Sequence, residues 1–60
     1  MLALILVSEE GPPHDRVFTF RVMLNSNRLG EGVGRTKREA EQNAAKEALS
    51  VLGELDEEPS

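Results

Sequence analysis

Sixty residues without a cysteine allow one small domain and exclude a disulfide framework or a thiolate metal site. One histidine cannot build a zinc site, and a net charge of −4 argues, taken whole, against a polyanionic partner. A chain of this length buries only about 60% of the surface its unfolded form exposes, so a well-packed minimal core or a partner must make up the margin.

The first element predicted in chain order is a strand over Leu2–Ser8, a short apolar run closed by the turn cluster Gly11-Pro12-Pro13. Both of its alternating faces are apolar: Leu2, Leu4 and Leu6 on one, Ala3, Ile5 and Val7 on the other. A half-solvated antiparallel strand shows one polar face. This strand is therefore expected to pack one face under a helix and to give the other to a partner, a second copy of the chain being the simplest. The run is far short of the roughly 20 residues that span a bilayer. It also lacks the basic flank and small-residue cleavage site of a secretory leader. With no cysteine, the expectation is a soluble chain of the cytoplasm.

Arg16–Leu24 alternates cleanly. Phe18, Phe20, Val22 and Leu24 line one face, and Thr19, Arg21 and Met23 the other. Asn25-Ser26-Asn27 reads as a turn, because Asn tolerates left-handed backbone and hydrogen-bonds locally. Arg28–Gly34 then returns as a third strand of a hairpin. Gly30, Gly32 and Gly34 fall on one face of it, which lets something bulky come close. These glycines complete neither G-x-G-x-x-G nor a phosphate-binding G-x-x-x-x-G-K-[ST], so close packing is the better account of them.

A helix is predicted from Thr36, where Thr36 and Glu39 form a capping box. Its apolar stripe reads Ala40, Ala44, Ala45, Ala48, Leu49, Leu52; the first half is alanine, so the helix is expected to lie close to the sheet with the three glycines as its partner, and Gly53 is the expected C-cap. Residues 1–53 form the predicted domain. Residues 54–60 form an acidic, flexible tail, whose Asp56, Glu57 and Glu58 read as solvated charges and not as a metal site. The order β-β-β-α predicts an α+β fold, a three-stranded antiparallel sheet with one helix on one face.

The charge distribution reverses the argument from net charge. All seven basic residues lie between Arg16 and Lys46, where only Glu31, Glu39 and Glu41 oppose them, leaving that window at net +4. Local field matters more to a polyanion than the total. Arg35, Lys37 and Arg38 gather at the helix start. Cations there oppose the helix dipole, and stability alone favours Asp or Glu. Exposed backbone N–H groups, the dipole and the cations together suit a phosphate.

Two stretches carry a resemblance. "EEGPPHDRVFTFRV" (Glu9–Val22) and "LGEGVGRTKREAEQNAAKEAL" (Leu29–Leu49) together resemble the double-stranded RNA-binding domain, closest to the carboxy-terminal domain of bacterial ribonuclease III. The resemblance implies an α-β-β-β-α fold with both helices on one face of the sheet; the first of those helices has no counterpart here, so the expected fold is a truncated form. It further implies that Lys37 and Arg38 grip phosphates across the major groove, with Arg35 and Thr36 in support. Gly11, Pro12 and His14 would belong to a loop that enters the minor groove and meets ribose 2′-hydroxyls, the groups that tell RNA from DNA. Glu41 departs from the pattern of the strongest binders, which carry a lysine there.

The residue types agree. The chain has no Trp or Tyr, and both Phe belong to the predicted core, so there is no platform for stacking single-stranded bases. No Ser/His/Asp or Cys/His set can be assembled, and the acidic signature of the ribonuclease III nuclease domain is missing. The expected function is shape-specific binding of double-stranded RNA, without cofactor, metal or catalysis, as the RNA-binding part of a ribonuclease III-like protein. The alternative is a protein-interaction module that keeps the fold and dimerises through the uncovered strand.

Overall fold

The computed structural model describes residues 1–55. Strands β1 (Leu2–Glu10), β2 (Val17–Leu24) and β3 (Asn27–Gly34) form an antiparallel sheet in the order β1-β2-β3, followed by helix α1 (Lys37–Leu55). The predicted α+β class and element order hold. The first strand runs two residues further than expected, to Glu10, and the hairpin turn is tighter: Asn27 already pairs with Leu24. Asn25 takes the left-handed conformation this turn requires, at φ 57°.

The core lies between α1 and the β2–β3 half of the sheet. Its buried members are Phe20, Val22, Leu29, Ala40, Ala44 and Ala48, with Phe18, Leu24, Val51 and Leu52 packed against them. The glycine face of β3 is the seat of the helix, as expected. A Cβ on Gly30 would meet the Ala48 nitrogen at 2.5 Å, and one on Gly34 the Ala40 nitrogen at 2.6 Å; on Gly32 it would fall on the Ala44 nitrogen. The match is one of periods. Two residues of strand advance about 6.7 Å, and four residues of helix about 6.0 Å. Three glycines therefore meet three alanines along one antiparallel seam.

Two bulges break the ladders. Val22 pairs with Gly30 and Met23 with Arg28, so Leu29 is the extra residue on β3 and turns into the core beside Gly30. Leu6 pairs with Phe20 and Ser8 with Thr19, so Val7 is the extra residue on β1.

Three expectations need correction. First, the helical stripe is narrower than predicted: Ala45 is exposed and Leu49 is 67% exposed. Asn43 and Glu47 bond to β3 at Val33 and Glu31. At about 100° per residue, Ala45 and Leu49 then fall on the opposite flank, toward β1. Second, neither face of β1 packs under the helix. Leu2, Leu4 and Leu6 share the helix side with Leu24, Val22 and Phe20, yet α1 sits over β2 and β3 and leaves them 58, 47 and 38% exposed. The glycine seam draws the helix toward β3 and away from β1. Third, Gly53 is no C-cap. It lies inside α1 without a left-handed φ, and a Cβ there would meet nothing within 4 Å. The predicted tail starts at Glu54, which is still helical; from residue 56 on, with Asp56, Glu57 and Glu58, it lies outside the described residues.

Candidate nucleic-acid interface

The helix start is built as its sequence implies. Thr36 Oγ1 accepts from the Glu39 N–H at 3.0 Å, and the Thr36 carbonyl accepts from Ala40 N–H at 3.0 Å. The Glu39 carboxylate reaches back to the Arg35 N–H at 3.3 Å, one residue past Thr36, the usual capping-box partner. Because Gly34 ends the strand opposite Ala40, the first turn of α1 passes beyond the end of β3. Arg35, Thr36, Lys37 and Arg38 are all exposed on that turn. Lys37 is less free than its sequence suggests: its Nζ stands 5.9 Å from the centre of the Phe18 ring, a cation–π contact at the floor of the turn. That contact explains how a lysine occupies the azimuth of the buried stripe.

The disposition of the cations sorts them into two groups. Arg16 pairs with Glu9 at 2.8 Å, and Arg21 binds Glu31 Oε2 through Nη2 at 2.9 Å and Nε at 3.1 Å. Arg28 stands 3.9 Å from the same carboxylate. Among the described residues Arg35, Lys37, Arg38 and Lys46 have no carboxylate partner. Uncommitted positive charge is thus concentrated at the positive end of the helix dipole.

The β1–β2 loop lies beside it. Gly11 has φ 103°, a conformation that side chains resist, and the Asp15 N–H bonds to the Pro12 carbonyl at 2.9 Å to close a tight turn. Pro13, His14, Asp15 and Arg16 of this loop line an open cleft of about 500 Å3 together with Phe18 and Arg35. The fold therefore brings His14 and Arg35 to one cleft, with Lys37 over the Phe18 that floors it. Gly11 and Pro12 sit in the same loop, and both are exposed. Nothing in the sequence marks Arg16, Glu9 or Phe18 for this region; the cross-strand register that unites them is a tertiary property.

The double-stranded RNA binding motif matches residues 1–52. The chain belongs to the double-stranded RNA-binding motif family. This member is also similar to proteins named Ribonuclease 3. It is 54% identical over 50 residues to that of Clostridium perfringens, covering 83% of this chain and 21% of that protein. Over 53 residues it is 49% identical to that of Halalkalibacterium halodurans, covering 88% of this chain and 20% of the relative. With Geobacter metallireducens the identity is 53% over 45 residues, 75% and 18% of the two chains. The chain spans about a fifth of the length of the curated relatives it matches.

Among the described residues no three His, Asp or Glu side chains come together as a metal group, and no helix is long and apolar enough to cross a membrane.

Proposed function

We propose that this domain binds double-stranded RNA by shape, as the RNA-binding part of a ribonuclease III-like protein of the cytoplasm. The observation that carries this reading is the set of cations, Arg35, Lys37 and Arg38, on the capped first turn of α1, none with a carboxylate partner among the described residues. There they lose stability against the dipole unless an anion arrives. Lys37 and Arg38 serve as phosphate contacts, supported by Arg35 and Thr36. Gly11, Pro12 and His14 supply the minor-groove contact, where backbone carbonyls and the imidazole meet 2′-hydroxyls. The chain contributes binding and leaves bond cleavage to other residues of such a protein. Titration with a matched RNA duplex and DNA duplex at several salt concentrations tests the reading. Preference for RNA with a steep salt dependence is expected; equal affinity would reduce it to unspecific charge attraction.

A second reading concerns self-association, and the two edges of the sheet favour it. On β3 the helix guards the edge: Asn43 Nδ2 donates to the Val33 carbonyl at 2.7 Å, and Glu47 Oε1 accepts from the Glu31 N–H at 3.0 Å. The opposite edge, β1, has apolar exposed side chains on both faces, among them Leu2, Leu4, Ile5 and Val7. A long apolar edge of this kind is a template for strand pairing. Pairing β1 with β1 of a second copy would satisfy its outer backbone groups and bury the leucines around a twofold axis. Each Å2 of apolar surface removed from water contributes about 25 cal/mol. Sedimentation at micromolar concentration decides the point: a folded monomer would sink this reading and leave RNA binding untouched.

A further inference from the structure

We infer that the ion pair between Glu9 and Arg16 is a clasp that positions the β1–β2 loop and thereby sets the preference for RNA over DNA; the second half of this inference rests on the RNA-binding reading above. Neither residue is assigned a contact with nucleic acid. Their role follows from where they stand, one at each base of the loop that carries Gly11, Pro12 and His14.

The clasp depends on the bulge at Val7. Strict alternation along β1 would place Glu9 on the same face as Ala3 and Ile5, away from the helix. The extra residue shifts the phase, and Glu9 pairs with Phe18 on the helix side of the sheet. A bulge that re-aims a side chain beside a functional loop is a recurring use of that irregularity. Arg16, two residues before Phe18 on the adjoining chain segment, then meets it: Nη1 donates to Glu9 Oε1 at 2.8 Å. The pair adds a side-chain tie beside the last ladder pair, Glu10 with Val17, where the segment from Gly11 to Arg16 leaves the sheet.

Arg16 is packed as well as paired. Its Nε is screened from solvent and has no hydrogen-bond partner, so the guanidinium is held against the protein at some cost. The same side chain lines the cleft with His14 and Arg35. Inside the loop, the left-handed Gly11 and the Asp15-to-Pro12 hydrogen bond fix the turn itself. Those contacts tie the loop to itself; beyond the last ladder pair, Glu10 with Val17, the clasp between Glu9 and Arg16 is the side-chain tie that holds the loop's second arm against the helix side of the sheet. Readout of a 2′-hydroxyl needs hydrogen-bond geometry, which a loop swinging through several orientations does not hold. Phosphate attraction tolerates that motion, so loosening the loop lowers RNA affinity more than DNA affinity.

Glu9→Gln and Arg16→Gln should each lower the ratio of RNA to DNA affinity by about two- to fivefold, the scale of a half-exposed ion pair. In the free protein both should speed hydrogen exchange at the Asp15 amide. The charge-swapped pair, Glu9→Arg with Arg16→Glu, should restore the ratio and the protection, with helix content checked by circular dichroism throughout. Single variants that leave ratio and exchange unchanged overturn the inference. So does an Arg16→Gln that lowers the salt slope by nearly one unit without rescue by the swap, since Arg16 would then be a phosphate contact. Equal affinity of the unsubstituted chain for both duplexes would sink the RNA reading and this use of the clasp, while the exchange data still report whether the clasp holds the loop.

Discussion

Gly32→Ala should unseat the helix. A methyl at this position would fall on the Ala44 nitrogen, 2.5 Å from the Asn43 carbonyl carbon and 2.7 Å from the Ala40 carbonyl oxygen. Ordinary contact for a Cβ begins near 3.4 Å, so the backbone of α1 must retreat by most of an ångström or more. The obstacle is main chain on a continuous helix, and no single side chain can step aside. Overpacking of ordinary cores costs about 1–3 kcal/mol. Here the retreat also opens a gap along the whole seam, and a gap of 0.5–1 Å forfeits about a quarter to a half of each contact's dispersion energy. A loss of about 3 kcal/mol or more is expected, against a core that supplies about 3–5 kcal/mol at this size. Urea unfolding followed by circular dichroism measures it, with Gly53→Ala as the control. Gly53 is helical with open space where a Cβ would go, so Ala there should stabilise by about 0.5–1 kcal/mol. A Gly32→Ala variant with the parent's urea midpoint would refute the glycine–alanine seam. A Gly53→Ala variant that loses stability would return Gly53 to the role of a cap.

Lys37→Ala combined with Arg38→Ala should weaken binding of duplex RNA and lower the salt slope by about 1.5–2, at nearly one unit per phosphate contact; an unchanged slope would take the helix start out of the interface. Thr36→Ala removes the hydroxyl that accepts the Glu39 N–H and should cost about 1 kcal/mol in thermal or urea unfolding. Leu4→Lys and Ile5→Lys probe the two faces of β1 by sedimentation: Leu4 lies on the helix side opposite Val22, Ile5 on the outer side opposite Arg21. Whichever lysine dissociates the dimer identifies the buried face, and a chain that is monomeric before substitution ends that reading.

What the sequence determined by itself is what a few neighbouring residues can enforce. Alternation from Phe18 to Leu24 makes a strand whatever it pairs with, and Thr36 with Glu39 starts a helix because both partners lie within one turn. The glycine–alanine seam was legible too, since strand and helix periods each show in one dimension. The positive helix start could be read for the same reason, and the cleft it shares with His14 could not. That cleft depends on which residues of β1 and β2 face each other, and a one-residue slip inverts every side chain. Val7 and Leu29 carry no mark of the bulges they form; a bulge exists only relative to a partner strand. Through them tertiary pairing decided that Glu9 meets Arg16 and that Leu29 joins the core. The breadth of the buried helical stripe is a tertiary matter for the same reason. Ala45 and Leu49 are apolar, but burial needs a surface opposite, and the glycines seat α1 over β2 and β3, leaving that flank and the leucines of β1 without one.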